Sequence, residues 1–222
     1  MIMLKIFSSI PSMKGCSVIK RISSMTKKEL VLNSFSLKGA FQILFFLLIS
    51  GVFFQSFVNA FNQLSRDVAL YGGERPNLDS LIQALFANFQ FILLLLIPAT
   101  TMGTISEERS KQTIRLLLSA PVTGIEVVTS KIIANHLFTL MLLALTSPYF
   151  FYLSYYGNPD MKIVLSSYIG LVLLSLAHIS LGVFISSMCS KQITAFLTST
   201  MTMLGLMICS WVSEKVIVSE SP

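Results

Sequence analysis

The sequence predicts an all-α fold: a polytopic membrane helix bundle of five transmembrane helices plus a short cytoplasmic helix. Three observations predict it. Of the 222 residues, 54% are apolar and only 12% charged, with a mean hydropathy of +0.76. A water-soluble domain of this length keeps a large share of its residues at the surface and needs far more charge than that. Disorder requires low hydrophobicity, the opposite of this composition. The charges are also spaced as membrane crossings require. Five windows contain no Asp, Glu, Lys or Arg: 39–65, 80–106, 132–159, 163–190 and 192–213. A helix crosses the hydrocarbon core in about 20 residues, so each window fits one crossing and none fits two. Finally, the basic residues divide unevenly between the flanks.

The spans fall near 40–62, 81–104, 125–156, 163–189 and 193–213. A soluble amphipathic helix would carry a charge every third or fourth residue on its wet face. A β-barrel would need roughly ten-residue alternating segments, and the windows are too long for that. Twelve Lys and Arg flank one side of the bundle and four the other. The first group contains Lys5, Lys14, Lys20, Arg21, Lys27, Lys28, Lys38, Arg109, Lys111, Arg115, Lys131 and Lys191; the second contains Arg66, Arg75, Lys162 and Lys215. The positive-inside rule predicts a cytoplasmic N-terminus, with Lys131 snorkelling to the cytoplasmic interface. The net charge of +6 reflects this asymmetry. A nucleic-acid partner is not expected, because the basic residues line a membrane face without interleaved aromatics.

Three regions organise the chain: an N-terminal extension over 1–25, the membrane domain over 26–213, and a tail over 214–222. Residues 1–25 have no clean apolar core of a cleaved signal peptide. They receive no fold, and Met25, opening MTKKEL, is an alternative start. Residues 26–38 fit a short amphipathic surface helix whose Leu30, Val31 and Phe35 dip into the interface. Cys16, Cys189 and Cys209 lack metal-ligand spacing and read as small apolar fillers. His136 and His178 lie inside spans three and four. An intramembrane ionisable group is a functional candidate, yet neutral histidine also simply bonds a neighbouring helix. The charge-free windows contain no carboxylate, which argues against proton-coupled transport. Pro98 and Pro148 interrupt spans two and three and favour kinks, with Thr100 and Thr101 able to satisfy freed carbonyls. The 17 Phe read mainly as lipid-facing bulk. Tyr149, Tyr152, Tyr155, Tyr156 and Trp211 read as an external aromatic belt.

The densest chemistry follows span two, in SEERSKQTIRLLLSAPVTGIEVVTSK, residues 106–131. On a helix starting near Glu107, the side chains of Glu108, Lys111 and Arg115 share one face, and Ile114, Leu117 and Leu118 another. Glu107 can pair with Lys111 at i, i+4. Pro121 stops that helix, since the residue before a proline leaves the α region. Thr123 and Glu126 form an S/T-x-x-E capping box, with Val122 and Val127 at the staple positions, opening span three. From composition alone this is a solvated loop with a few salt bridges or a docking helix that passes force to the membrane.

The pattern E-E-R-x-x-x-T-x-x-x-L-L-x-x-P-V-T-x-x-E-V-V-x-x-K resembles the signature of ABC-2-type exporter permeases, most nearly their gliding-motility-associated branch. It is carried by Glu107, Glu108, Arg109, Thr113, Leu116, Leu117, Leu118, Pro121, Val122, Thr123, Glu126, Val127, Val128 and Lys131. KKEL (27–30), LLLLIPA (93–99), YGNPD (156–160) and GVFISSM with KQI (182–193) extend the resemblance over roughly 26–213. The chain departs at Gln112 and Ser130, where the family has glycine, and at Arg115, where it has an acid. Family members have six spans; the absence of a sixth window here implies a truncated or shortened permease.

The resemblance implies a permease subunit that pairs with a second permease copy or paralogue in the lipid bilayer. A separate ATP-binding cassette ATPase subunit would dock on the segment marked by Glu107, Glu108, Arg109, Lys111, Thr113, Arg115, Pro121 and Glu126, with 107–119 as the coupling helix. No G-x-x-x-x-G-K-[ST] phosphate loop is present, so no cofactor is expected on this chain and ATP would be bound by the partner. The competing class is a non-transporting membrane scaffold or an inactive truncated permease. A membrane enzyme ranks behind both, as the sequence has no H-E-x-x-H, paired intramembrane carboxylates or nucleophile motif.

Overall fold

The computed structural model describes residues 18–71, 78–106, 123–157 and 160–220. These residues form seven helices: α1 (Val18–Phe35), α2 (Leu37–Tyr71), α3 (Leu78–Thr101), α4 (Gly124–Ala144), α5 (Ser147–Gly157), α6 (Met161–Met188) and α7 (Gln192–Glu220). Five spans are long and apolar enough to cross a membrane: Leu37–Val68, Ile82–Thr101, Gly124–Tyr155, Met161–Met188 and Gln192–Ser213. Each overlaps the corresponding charge-free window, because in hydrocarbon only a helix satisfies every backbone group within its own segment.

Helices α3 and α6 form the centre, with α2, α4 and α7 packed around them. Span two is the most enclosed, with 56% of its most apolar stretch buried, against 17% for span one. The core joins Phe46 and Phe57 of α2, Phe86, Phe89, Leu93, Leu94 and Ile97 of α3, and Phe138 and Leu142 of α4 to Ile179 and Val183 of α6. Phenylalanine is thus divided between two roles: these five rings and Phe150 are buried, whereas Phe41, Phe91, Phe151 and Phe184 are exposed. In water so much exposed apolar surface would drive association; around a transmembrane bundle it is the face that meets lipid.

Three local features differ from the sequence expectations. Helix α1 begins at Val18, eight residues before the proposed amphipathic helix, and packs along α4. Its Leu30 reaches the core edge, whereas Val31 and Phe35 remain exposed. Span three is two helices: α4 ends at Ala144 and α5 starts at Ser147. Pro148 sits in the first turn of α5, where its missing N–H costs no helical bond. Tyr149 faces inward, its ring stacked on Phe54 with centroids 4.5 Å apart and its hydroxyl 3.3 Å from Ser50 Oγ. Tyr155 and Trp211 are exposed, as belt residues are.

Candidate functional site

Glu107, Glu108, Arg109, Lys111, Thr113, Arg115 and Pro121 lie outside the described residues, as does the helix expected over 107–119. Both ends of that segment are described, and each is fixed to the bundle by a different kind of contact.

The first end leaves α3 at Thr101. Pro98 lies inside α3, one turn before its end, and Met102 N–H donates to Pro98 O at 2.9 Å. Thr100 and Thr101 both donate their hydroxyls to Ile97 O, at 2.8 and 2.9 Å. They therefore bond the carbonyl just before the proline, which is not the i−4 carbonyl that the proline frees. Thr104 Oγ1 donates to Thr101 O and Ser106 Oγ to Met102 O. Helix α6 closes over this turn. Its fully buried Ser186 donates to Met102 O at 3.1 Å and accepts from the N–H groups of Ser106 and Ile105 at 3.3 and 3.4 Å. One hydroxyl thus engages three backbone groups that a helix end leaves without helical partners. One turn earlier on α6, Gly182 lets the backbones approach. A Cβ there would overlap Thr101 Oγ1 and lie 3.1 Å from its Cβ, and Thr101 is itself fully buried.

The second end enters α4 at Thr123. Thr123 has extended backbone (φ −83°, ψ 150°), and its Oγ1 accepts from Glu126 N–H at 3.4 Å. Glu126 returns the bond, its Oε2 accepting from Thr123 N–H at 2.9 Å. The capping box is formed as the sequence predicts. Glu126 nevertheless does more than cap. It is buried, and its Oε1 lies 3.0 Å from an Arg21 guanidinium nitrogen on α1. This carboxylate faces into the protein, where it holds the root of the segment.

Further pairs continue along the two helices. Thr26 Oγ1 donates to Ser130 O at 3.4 Å, Lys131 Nζ lies 3.1 Å from Glu29 Oε1, and Asn33 Nδ2 donates to Asn135 Oδ1 at 3.3 Å. Partner numbers rise together, so α1 and the start of α4 run parallel. Lys131 is 3% exposed and engaged with Glu29, so it does not snorkel. Asn135 also donates to Lys131 O at 2.9 Å, and Thr139 to Asn135 O at 3.0 Å, continuing the polar line into the span. Buried charges are tolerated only when paired and hydrogen-bonded, and these are.

Sequence reasoning missed Arg21, Glu29, Gly182 and Ser186. One signal was available for Glu29: it is the only acid before Asp67, among seven basic residues that precede span one. Gly182 and Ser186 fall within GVFISSM, but nothing in that motif marks them as contacts, since small residues are common in membrane helices. His178 is buried and His136 half-buried, and neither Nδ1 has a hydrogen-bond partner among the described residues. Among those residues no group of three or more His, Cys, Asp or Glu could hold a metal ion.

Five apolar spans and a polar segment rooted at both ends define a multi-pass membrane protein. The chain matches the family model described as ABC-2 family transporter protein over residues 11–219, and it belongs to that family. Proteins of this family are membrane subunits and not themselves ATPases, and they work in general with an ATP-binding subunit. Comparison with curated proteins and with solved structures gave no match.

Proposed function

We propose that this chain is the transmembrane permease subunit of an ATP-binding-cassette exporter in the bacterial cytoplasmic (inner) membrane, with a cytoplasmic N-terminus. A separate ATPase subunit docks on residues 107–119, and a second permease copy or paralogue completes the pathway. Glu108, Lys111 and Arg115 form the docking face. The resemblance of residues 106–131 to the gliding-motility-associated branch is the basis for placing the chain there.

The observation that supports this reading is the anchoring of both ends of the segment. A displaced loop passes force to the bundle only where its ends are fixed to it. Here one end is held by Ser186 and Gly182 of α6, and the other by the ion pairs of Glu126 and Lys131 with α1. A push on the segment would therefore reach α6 through one root and α1 and α4 through the other. Nucleotide-driven closure of the ATPase subunits would bias the bundle between two arrangements.

Native co-purification tests it. The chain, tagged at its N-terminus, is solubilised in mild detergent and its partners are identified by mass spectrometry. A near-stoichiometric ATP-binding subunit is expected, and Glu108→Lys should reduce its recovery. Unchanged recovery with Glu108→Lys counts against the docking face. Recovery of the chain alone, or with only non-ATPase partners, favours a membrane scaffold or an inactive permease.

A further inference from the structure

The outer half of span three, α5, differs from every other described helix in how it is held. Its connection to α4 is closed locally. Leu145 N–H bonds Met141 O and Leu142 O at 3.1 and 3.2 Å, Thr146 N–H bonds Leu143 O at 3.1 Å, and Tyr149 N–H bonds Thr146 O at 3.1 Å. The Thr146 hydroxyl adds a bond to Leu143 O at 2.7 Å. A break inside a membrane span persists where its backbone groups find partners, and these bonds draw on α5 no further than its first turn.

No other described helix packs its backbone closely along α5, in contrast to the close contacts that join α3, α6 and α7. Aromatic rings span the gap. On one side, Tyr149 stacks on Phe54 of α2 while Tyr152 meets the same ring edge-on at 5.9 Å. On the other side, Phe150 stacks on Phe86 of α3 at 5.0 Å and meets Tyr168 of α6 at 5.1 Å. Two hydroxyl contacts add to the rings, both at the hinge end of α5. Tyr149 reaches Ser50 on α2 at 3.3 Å, and Tyr168 reaches the hinge residue Thr146 at 2.9 Å. α5 bears no charged side chain, and Phe151 and Tyr155 are exposed on its outer face.

We infer that α5 is an independently moving gate at the end of the bundle remote from residues 107–122, hinged at Leu145–Thr146 and latched shut by Tyr149 and Tyr168. An element with few close backbone contacts and a self-satisfied hinge belongs to the low-stability end of a structure, from which moving parts are drawn. Ring stacking can slide or re-form against neighbouring rings without stranding a buried polar group. The inference uses no ATPase contact, so it stands or falls separately from the docking of residues 107–119.

Distance measurement between spin labels tests it, on the whole chain in lipid nanodiscs with Cys16, Cys189 and Cys209 replaced by Ser. An outer pair, Tyr155→Cys with Leu165→Cys, reports α5 against α6; an inner pair, Val128→Cys with Phe184→Cys, reports α4 against α6. All four positions are exposed. Tyr149→Phe with Tyr168→Phe removes both hydroxyl clips and keeps the rings. The expected result is an outer pair shifted to longer distances while the inner pair stays fixed. An outer pair that does not move, or an inner pair that moves with it, overturns the proposal. Should the double variant fail to fold, Tyr168→Phe alone, which removes one clip at nearly constant shape and leaves the Thr146 bond to Leu143 O in place, is read by the same criteria.

Discussion

The two roots of the 107–122 segment are held to the bundle by opposite chemistry. At the α3 end the contacts are neutral and short in reach: a serine hydroxyl on three backbone groups, and a glycine that lets α6 lie against Thr101. At the α4 end they are charged and long in reach, joining α1 to residues about a hundred positions later in the chain. The neutral root lies between two apolar spans, where an unpaired charge would be expensive. The charged root holds a helix whose outward face carries exposed lysines, and its ion pairs fix which residue of α1 meets which residue of α4. Steric fit defines one root and charge pairing the other, so the two should fail differently.

The charged root should fail hardest. Glu29→Lys sets a second cation against the nearly buried Lys131. Removing one member of a buried pair typically costs about 3–5 kcal/mol. Because the Glu29 side chain keeps 27% of its surface exposed, the lower end of that range is expected. Adding Lys131→Glu restores opposite charges and should recover most of the loss. Thermal unfolding in nanodiscs of both single variants and the double variant reads the cycle, and a double variant no better than Glu29→Lys would show that register is set by something else.

The steric root should follow. Gly182→Val inserts a branched side chain where even a Cβ meets Thr101, at an over-packing cost of about 1–3 kcal/mol. No second-site charge change should rescue it, whereas Thr101→Ala should relieve part of the clash. Rescue of melting temperature by Thr101→Ala, and none by changes at Glu29 or Lys131, separates the two roots.

Ser186→Ala should have the smallest effect. It deletes one bond to Met102 O and two longer contacts from Ile105 and Ser106, worth about 1–2 kcal/mol in all. Its readout is local: hydrogen exchange at the amides of Ile105 and Ser106 should quicken while α1 and α4 stay protected. Equal loosening of α1 would mean that the roots are one unit.

Much of this fold was legible because a bilayer leaves so few solutions. The charge-free windows locate all five spans, and the capping box at Thr123 and Glu126 appears as its spacing predicts. The seven residues before Thr123 that the sequence marks as a docking set stand outside the described residues, so only Glu126 of that set has a described place, and it faces inward. Lys131 shows why the rest was hidden: its position predicts a snorkelling cation, and only the arrival of Glu29 from a distant helix makes burial affordable.

By itself, the sequence determined how many times the chain can cross a membrane and where the polar segment falls between crossings. Both follow from hydrocarbon thickness and from the cost of charge within it. Tertiary structure alone decided what that segment hangs from. Whether a glycine permits close approach, a serine finds three backbone partners or two opposite charges meet depends on helices brought together across about a hundred residues, and spacing along one chain does not encode it. The division of span three at Leu145–Thr146 belongs to the same class. Pro148 indicates a break near there, but the rings and hydroxyls that hold the outer half come from α2, α3 and α6.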